Sequence, residues 1–396
     1  MPRFWLLLAV CTGVLHADTV LVLPFFNHSK TASLDWIGES IAETLRDVLA
    51  SQNLLVLDRE DRLEAYRRLS LRPGAELTHA SIMKIGESLD ASRVIYGSYD
   101  LAPPAEPGID KPQSRGSLRI TARMVDLKHM RQGPEFAEIG ALEELAALEA
   151  HLSWQALASL MPKPAPSEEE FLKAQPRVRV DAVESYVRGL LATSAEQRHR
   201  YFTQAARLDT NYSQPRFQLG KIYWGKKDYK VAAEWLEKVA PADPHYLEAQ
   251  FYLGLCRYQT SDFAGAEQSF QKVAATVPLN EVFNNLGAAQ LRRNEVAAAA
   301  GSFRKALEGD SGDPDFHFNL GYSLWKAGNF PAAVASFRAA LDRNPNDTEA
   351  VSLLGRALKN DGPRAGDPRT EARERLKLTY EEAAYRQLQA ELETKK

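Results

Sequence analysis

The sequence predicts an α/β domain followed by an all-α array of helical repeats, and two observations lead to that fold class. In the first part of the chain, short runs of β-branched and aromatic residues alternate with helical patterns, which is typical of a mixed sheet with packed helices. Farther along, leucine–glycine pairs recur at a nearly constant interval. The glycines of these pairs are Gly220, Gly254, Gly287, Gly321 and Gly355.

Other residue types recur with the same period. An alanine stands at one fixed spacing after four of the glycines, a large apolar residue stands one helical turn farther on, and a proline closes three of the units. These positions hold Ala232, Ala266, Ala299 and Ala333; Leu236, Phe270, Phe303 and Phe337; and Pro244, Pro278 and Pro345. The pattern, with a period of about 34 residues, resembles that of tetratricopeptide repeats. The resemblance implies antiparallel helix pairs that stack into a right-handed superhelix with a concave groove.

Packing within a repeat explains the pattern. A glycine and an alanine allow two helices to approach closely, and a proline ends the second helix because it cannot donate a main-chain hydrogen bond. We expect the large apolar residue to fill the space toward the next repeat. The pattern therefore predicts a fold and carries no catalytic chemistry.

Composition and motifs argue against an enzyme. The net charge of −3 gives no basic surface for nucleic acid. Histidines do not recur at metal-ligand spacing, and no nucleophile elbow is present. Gly220–Lys227 resembles a phosphate-binding loop, but Lys227 stands where Ser or Thr is needed and no strand precedes it. We expect no catalytic residues, no cofactor and no metal.

The N-terminus resembles a secretory signal peptide. A short positive region, Met1–Arg3, precedes the apolar run Phe4–Leu15, and Ala17 provides a small residue for cleavage. We expect residues 1–17 to be removed, which predicts a periplasmic or secreted protein without a transmembrane segment in the mature chain. Leu8–Cys11 also resembles a lipoprotein cleavage box, although valine before the cysteine is unfavourable. An outer-membrane lipoprotein is therefore the less favoured alternative.

Residues 18–161 predict the α/β domain. Strands are expected over Thr19–Phe26, Leu54–Leu57, Arg93–Tyr99, Ser117–Leu127 and Glu135–Ile139, and helices after Asp35, over Asp58–Leu69, over Ala80–Leu89 and over Leu142–Leu160. Pro103–Gly116 is predicted to be a Pro/Gly-rich insert between two strands.

The strings VLPFFN, IGESIAETLRDVL, LLVLDR, VIYGSY and LRITARMVDL resemble the amino-terminal domain of the periplasmic translocation protein TolB. Similar modules occur in curli-secretion and flagellar outer-membrane assembly lipoproteins. The resemblance covers residues 19–127 and implies a module that docks on an envelope component. A small-ligand sensor and an outer-membrane assembly factor of the curli-secretion type stay open as alternatives.

The remaining boundaries follow from composition and from the repeat period. Residues 162–180 form a proline-rich, acidic linker, and residues 181–358 hold about five repeats plus a partial one. A degenerate first repeat contains Gly189, Phe202 and Ala205. Residues 359–396 are expected to form a loop and a helix over Thr370–Thr394, which either caps the array or binds a partner.

The concave groove is the candidate site. Positions 5, 9 and 12 of the first helix of each repeat should face it, and aromatic side chains there can anchor a peptide. The alternative is that some of these side chains fill gaps between helices. A clamp for a C-terminal carboxylate is not expected, because Phe217 and Phe251 occupy the lysine positions, so an apolar or aromatic peptide is favoured. The predicted groove residues are Phe217, Lys221, Trp224, Phe251, Tyr258, Asn284, Phe318, Tyr322 and Trp325.

Together these features predict a non-enzymatic periplasmic scaffold or adaptor. Its repeats would bind a protein or peptide partner in the envelope, and its N-terminal domain would dock on an envelope component.

Overall fold

The computed structural model describes residues 19–29, 31–102, 116–161, 166–364 and 371–393. The chain folds as two compact units. The first unit comprises the described residues up to Lys173 together with those from Ala383 onward, and the second unit runs from Ala174 to Glu382. No helix among the described residues is both long enough and apolar enough to cross a membrane.

The first unit is built on a mixed sheet of six strands with the order β3-β1-β4-β5-β6, in which β2 pairs with β4. Strand β1 is parallel to β3 and β4, whereas β4–β5 and β5–β6 are antiparallel. This confirms the predicted mixed sheet. The strands are β1 (Thr19–Val22), β2 (Phe26–Asn27), β3 (Leu55–Val56), β4 (Arg93–Ala102), β5 (Ser117–Asp126) and β6 (Arg131–Ala141).

The predicted strand over Thr19–Phe26 is divided into β1 and β2. Pro24 has no N–H to donate to a sheet ladder, so the strand is interrupted there. The main-chain N–H of Phe25 donates instead to the carbonyl oxygen of Gly38, at 3.1 Å. Glycine is required at that contact, because a Cβ on Gly38 would lie 2.0 Å from the Phe25 oxygen.

Five helices among the described residues accompany this sheet, and several begin at side chains suited to that position. Asp58 forms a capping box with Asp61, and the Thr78 hydroxyl accepts from the N–H of Ser81. The helices are α1 (Trp36–Ser51), α2 (Arg59–Arg68), α3 (His79–Ser88), α4 (Leu145–Leu160) and α5 (Glu168–Ala174). The predicted insert Pro103–Gly116 lies, except for Gly116, outside the described residues.

The second unit consists of helix pairs, as the repeat period predicts. Antiparallel neighbours are α6 with α7, α8 with α9, α10 with α11, α12 with α13, and α14 with α15, and α16 follows. Their bounds are α6 (Val180–Leu191), α7 (Ala195–Leu208), α8 (Gln214–Gly225), α9 (Tyr229–Leu236), α10 (Tyr246–Gln259), α11 (Phe263–Thr276), α12 (Asn280–Arg292), α13 (Val296–Gly309), α14 (Pro314–Lys326), α15 (Phe330–Arg343) and α16 (Thr348–Leu358).

The repeated glycines lie where the two helices of a pair touch. A Cβ on Gly254 would lie 2.7 Å from the Phe270 ring, and one on Gly287 would lie 2.8 Å from the Phe303 ring. The large apolar side chain therefore packs on the glycine of its own pair. It also belongs to a buried cluster that includes the next repeat, as Phe303 does with Phe318 of α14, in agreement with the prediction that it fills space toward that repeat. Any side chain at the glycine position would come too close to the ring packed on it, so the contact sets how closely the paired helices approach.

The end of the second unit differs from the sequence prediction. A helix was expected over Thr370–Thr394, but the described residues from Glu371 to Glu381 are not helical, and α17 spans only Glu382–Glu393. Charged and apolar residues alternate from Arg375 to Leu378, which favours an extended chain. In the first unit, Arg386 of α17 donates to the carbonyl oxygen of Ala50 at 3.2 Å.

Candidate functional site: a groove that holds residues 371–381

The groove is the face of α10, α12 and α14 against which the chain's own residues 371–381 lie. We call this segment the strap. Its first residue, Glu371, lies beside Tyr322 of α14, and Tyr380 lies beside Phe251 of α10. The strap therefore runs opposite to the order of the repeats. It occupies the groove as an extended peptide would.

Asparagine side chains hold the main chain of the strap. The amide of Asn319 donates to the carbonyl oxygen of Arg375 and accepts from its N–H, both at 2.9 Å. Asn285 makes the same two bonds with Lys377, at 2.7 and 2.8 Å. Asn284 also donates to the Arg375 oxygen, at 2.7 Å. Because these bonds involve only main-chain atoms of the strap, they recognise an extended backbone rather than a particular side chain.

Acidic side chains line one side of the groove and face the cations of the strap. Arg375 binds Asp347 through two hydrogen bonds, at 2.5 and 2.9 Å, and its guanidinium lies 3.5 Å from the centre of the Phe318 ring. Lys377 reaches Asp313 at 2.6 Å and Asp315 at 2.8 Å. The hydrogen bond from Arg375 lowers the pKa of Asp347, although burial opposes the shift.

The other side of the groove presents hydroxyl groups and cations to the glutamates of the strap. Glu374 accepts from Tyr258 at 2.7 Å and pairs with Arg292 at 2.8 Å. Glu371 accepts from the hydroxyl of Tyr322 at 2.7 Å and pairs with Lys326 at 3.2 Å. The groove thus has an acidic side and a basic side.

The strap also makes apolar contacts with the groove. The rings of Tyr380 and Phe251 have centroids 5.3 Å apart. Ala372 is buried, and Leu376 packs against the same hydrophobic cluster, whereas Leu378 is exposed. At the end of the strap, the N–H of Glu381 donates to Glu281 at 2.8 Å.

The structure divides the predicted groove residues into two sets. The first set contacts the strap; its members are Phe251, Tyr258, Asn284, Phe318 and Tyr322. The second set makes other contacts in the same unit; its members are Phe217, Lys221, Trp224 and Trp325. That any of them binds a separate partner stays a prediction.

The second set packs on neighbouring helices. The Lys221 ammonium lies 5.3 Å from the centre of the Phe217 ring and 2.9 Å from Glu248 of α10. Trp224 packs beside Tyr252, with ring centroids 5.7 Å apart. Trp325 is buried, and its indole N–H donates to the carbonyl oxygen of Asp361 at 2.8 Å. The burial of Trp325 fits the alternative stated above, that some of these side chains fill gaps between helices.

Sequence reasoning missed the residues that contact the strap most directly, Asn285 and Asn319. Each stands two residues before a repeated glycine, in the tripeptide Asn-Leu-Gly. That recurrence was the available signal. The ion-pairing residues Arg292, Lys326 and Asp347 were also missed, because their role depends on a segment far away in the sequence.

Ionisable residues elsewhere have structural surroundings. Glu149 of α4 is buried, and burial raises its pKa to about 7 despite hydrogen bonds from Ser40 and Thr44. Cys256 is buried in the second unit, and burial raises the pKa of its thiol to about 12. Across the described ranges, no group of three or more His, Cys, Asp or Glu residues is placed to hold a metal ion.

Comparison with known proteins agrees with the fold of the second unit. A tetratricopeptide-repeat family model matches residues 217–281 and 318–366. No curated protein matches the chain in sequence.

Solved structures with similarity to this chain include MamA and YrrB. Residues 41 to the end of MamA from Desulfovibrio magneticus RS-1 are 22% identical, with a TM-score of 0.37, and the match covers 41% of this chain and 92% of that one. YrrB, described as a tetratricopeptide-repeat protein with an unusual peptide-binding site, is 18% identical, with a TM-score of 0.36 and coverage of 51% and 93%.

Proposed function

We propose that this chain is a non-enzymatic scaffold whose repeat groove binds an extended segment of a partner protein. The observation that carries the proposal is the strap, an extended peptide held in the groove through its main chain by Asn285 and Asn319. The match to the tetratricopeptide-repeat family model supports the same function.

The chemistry of the groove suits binding. Main-chain hydrogen bonds supply affinity for an extended peptide, and flanking charges and aromatic rings supply selectivity. The rings of Phe251 and Phe318 offer large apolar surfaces with little rotamer freedom to lose. Nothing in the arrangement of the described groove residues resembles a nucleophile with an activating base.

The test is partner capture by crosslinking in cells that express the full chain. The double variant Asn285→Ala with Asn319→Ala should lose the partners that the unaltered chain captures, because an extended main chain loses four hydrogen bonds there. Asn211→Ala is the matched control, since Asn211 is exposed and precedes α8, outside the three helices that form the groove. Capture that is equal for both variants would contradict the proposal.

We further propose that the protein is exported and works in the cell envelope, with the first unit docking on an envelope component. The apolar run Phe4–Leu15 and the resemblance of residues 19–127 to the TolB amino-terminal domain support this location. Mass spectrometry of the protein from fractionated cells tests it. A mature chain that begins at Asp18 is expected; a lipid on Cys11 would favour the lipoprotein alternative, and an uncut chain in the cytoplasm would contradict export.

A further inference from the structure

We propose that the strap is a built-in competitor, and that it shows which partner the groove takes. The partner is an extended protein segment in which glutamate is followed directly by arginine, then by lysine two residues later and by an aromatic residue three residues after that. This is the order Glu374, Arg375, Lys377, Tyr380 of the strap. The inference rests on the proposed function and adds the chemistry and the regulation of the same groove.

The main-chain bonds explain why the ligand must be extended. Asn319 and Asn285 each bond both the N–H and the carbonyl oxygen of one strap residue, and those residues, Arg375 and Lys377, are two apart. In an extended chain, residues two apart present their main-chain groups in the same direction. A helical segment uses these groups in its own hydrogen bonds, so it could not bind in this way.

The charges explain why the order of side chains matters. Arg375 and Lys377 lie on the side of Asp347 and Asp315. The intervening position is Leu376, which packs on the hydrophobic cluster, and Glu374 turns toward Arg292 on the opposite side. A segment with acidic residues at the Arg375 and Lys377 positions would face carboxylates within a few ångströms, which costs binding free energy.

Exchange of the strap for a partner of this sequence leaves Asn285, Asn319 and Asp347 paired. Every bond to the strap made by Asn285, Asn319 or Asp347 goes to a main-chain group or a cation, which a partner of matching sequence also supplies. Polar contacts of this kind are exchangeable, because water satisfies the groups between release and capture. The strap and the partner therefore compete for the same groove.

The tether gives the strap an advantage in that competition. The strap follows α16, which ends at Leu358, so residues 359–370 connect the two. A short tether of this kind corresponds to an effective concentration in the millimolar range. A partner segment of equal intrinsic affinity would need a comparable concentration to displace the strap, whereas a partner that binds more tightly or weakens the strap would open the groove.

The experiment measures binding of a fluorescent synthetic peptide, residues 371–382, to the full chain by anisotropy. The strap variant Arg375→Glu with Lys377→Glu repels its own segment from the acidic side and should bind the peptide at least tenfold more tightly than the unaltered chain. Circular dichroism shows whether the double variant folds. If it does not, the single variant Arg375→Ala, which removes only one cation of the strap, takes its place. A peptide with both positions changed to glutamate is the matched control and should not bind.

Groove variants complete the design. In the strap variant, Asn285→Ala with Asn319→Ala should abolish peptide binding. Equal affinity of the peptide for the unaltered chain and for both strap variants would overturn the inference, as would its failure to bind either folded strap variant. Size-exclusion chromatography with light scattering measures the oligomeric state of the unaltered chain. A dimer in which each chain places its strap in the groove of the other would overturn the proposal that strap and partner compete within one chain.

Failure of this inference is distinguishable from failure of the proposed function. If the peptide does not bind the strap variants while partner capture in cells still depends on Asn285 and Asn319, the groove binds a segment of other chemistry. If capture is also independent of both asparagines, the proposed function fails as well.

Discussion

Single residues of two kinds determine the groove and the array that carries it. Gly287 and Gly321 let paired helices touch, and Asn285 and Asn319, two positions earlier, hold the strap from the same helices. The glycines were predictable because their regular period along the sequence has a packing cause. The asparagines were visible as a repeated tripeptide, but their contacts depend on a segment 92 residues away from Asn285.

The glycine contacts predict unequal effects of the same substitution. Gly287→Ala places a methyl group 2.8 Å from the Phe303 ring, so the helices must shift and the second unit should lose about 1–3 kcal/mol of unfolding free energy. Gly355→Ala is the control, because nothing outside its chain neighbours and the adjacent backbone of its own helix lies within 4 Å of its added Cβ. Alanine there should be neutral or stabilise by up to about 1 kcal/mol through helix propensity. Denaturant unfolding measures both, and equal effects would contradict the packing argument.

Glu149 predicts a pH dependence in the first unit. Its pKa is raised in the folded state from the ordinary value of 4.5 to about 7, so the folded protein keeps a proton that the unfolded chain loses between those values. Stability therefore falls as the pH rises through that window. At pH 8, Glu149→Gln should raise the free energy of unfolding by on the order of 2 kcal/mol and the melting temperature by several degrees. At pH 4 the same change should have little effect.

The control for this prediction is Glu144→Gln, since Glu144 is exposed at the start of α4. Its effect on the melting temperature should be small and similar at both pH values. If Glu149→Gln behaved like this control in calorimetric scans, burial of the Glu149 carboxyl would not be the source of the pH dependence.

At the scale of elements, the strap shows where sequence reasoning could not succeed. An apolar residue every four positions from Leu376 to Leu392 favours a helix, while alternation from Arg375 to Leu378 favours an extended chain. Local propensity does not decide between the two. The groove decides, because Asn285 and Asn319 bond the main chain only when it is extended. The helix prediction is confirmed only for α17, which begins after the strap ends.

The strap's hydrogen bonds predict slow amide exchange in a segment without regular secondary structure. The N–H groups of Arg375 and Lys377 donate to Asn319 and Asn285, so both amides should exchange at least about tenfold more slowly than in an unstructured peptide. Hydrogen–deuterium exchange with mass spectrometry measures this. Asn285→Ala with Asn319→Ala should speed exchange in residues 371–381 and leave α15 unchanged. Rapid exchange of the strap in the unaltered chain would contradict the groove contacts.

At the scale of the molecule, the parts that follow from local pattern were predictable. The strand and helix order of the first unit and the helix pairs of the second unit arise from hydrophobic periodicity, which the sequence displays directly. The occupant of the groove depends on chain closure between α16 and the strap and on charges brought together by folding, as for Arg292 and Glu374. No local pattern encodes such a pairing.

Chain closure yields the last prediction. Insertion of a Gly/Ser segment as long as residues 359–370 after Arg364 doubles the connection between α16 and the strap. Loop-closure entropy grows slowly with length, so doubling the number of connecting residues costs only about 0.6 kcal/mol. The strap peptide should therefore bind the longer chain about threefold more tightly than the unaltered chain, far less than it gains from charge reversal at Arg375 and Lys377. Anisotropy measures both. A gain from insertion equal to that from charge reversal would mean that the short connection, and not the contacts in the groove, keeps the strap in place.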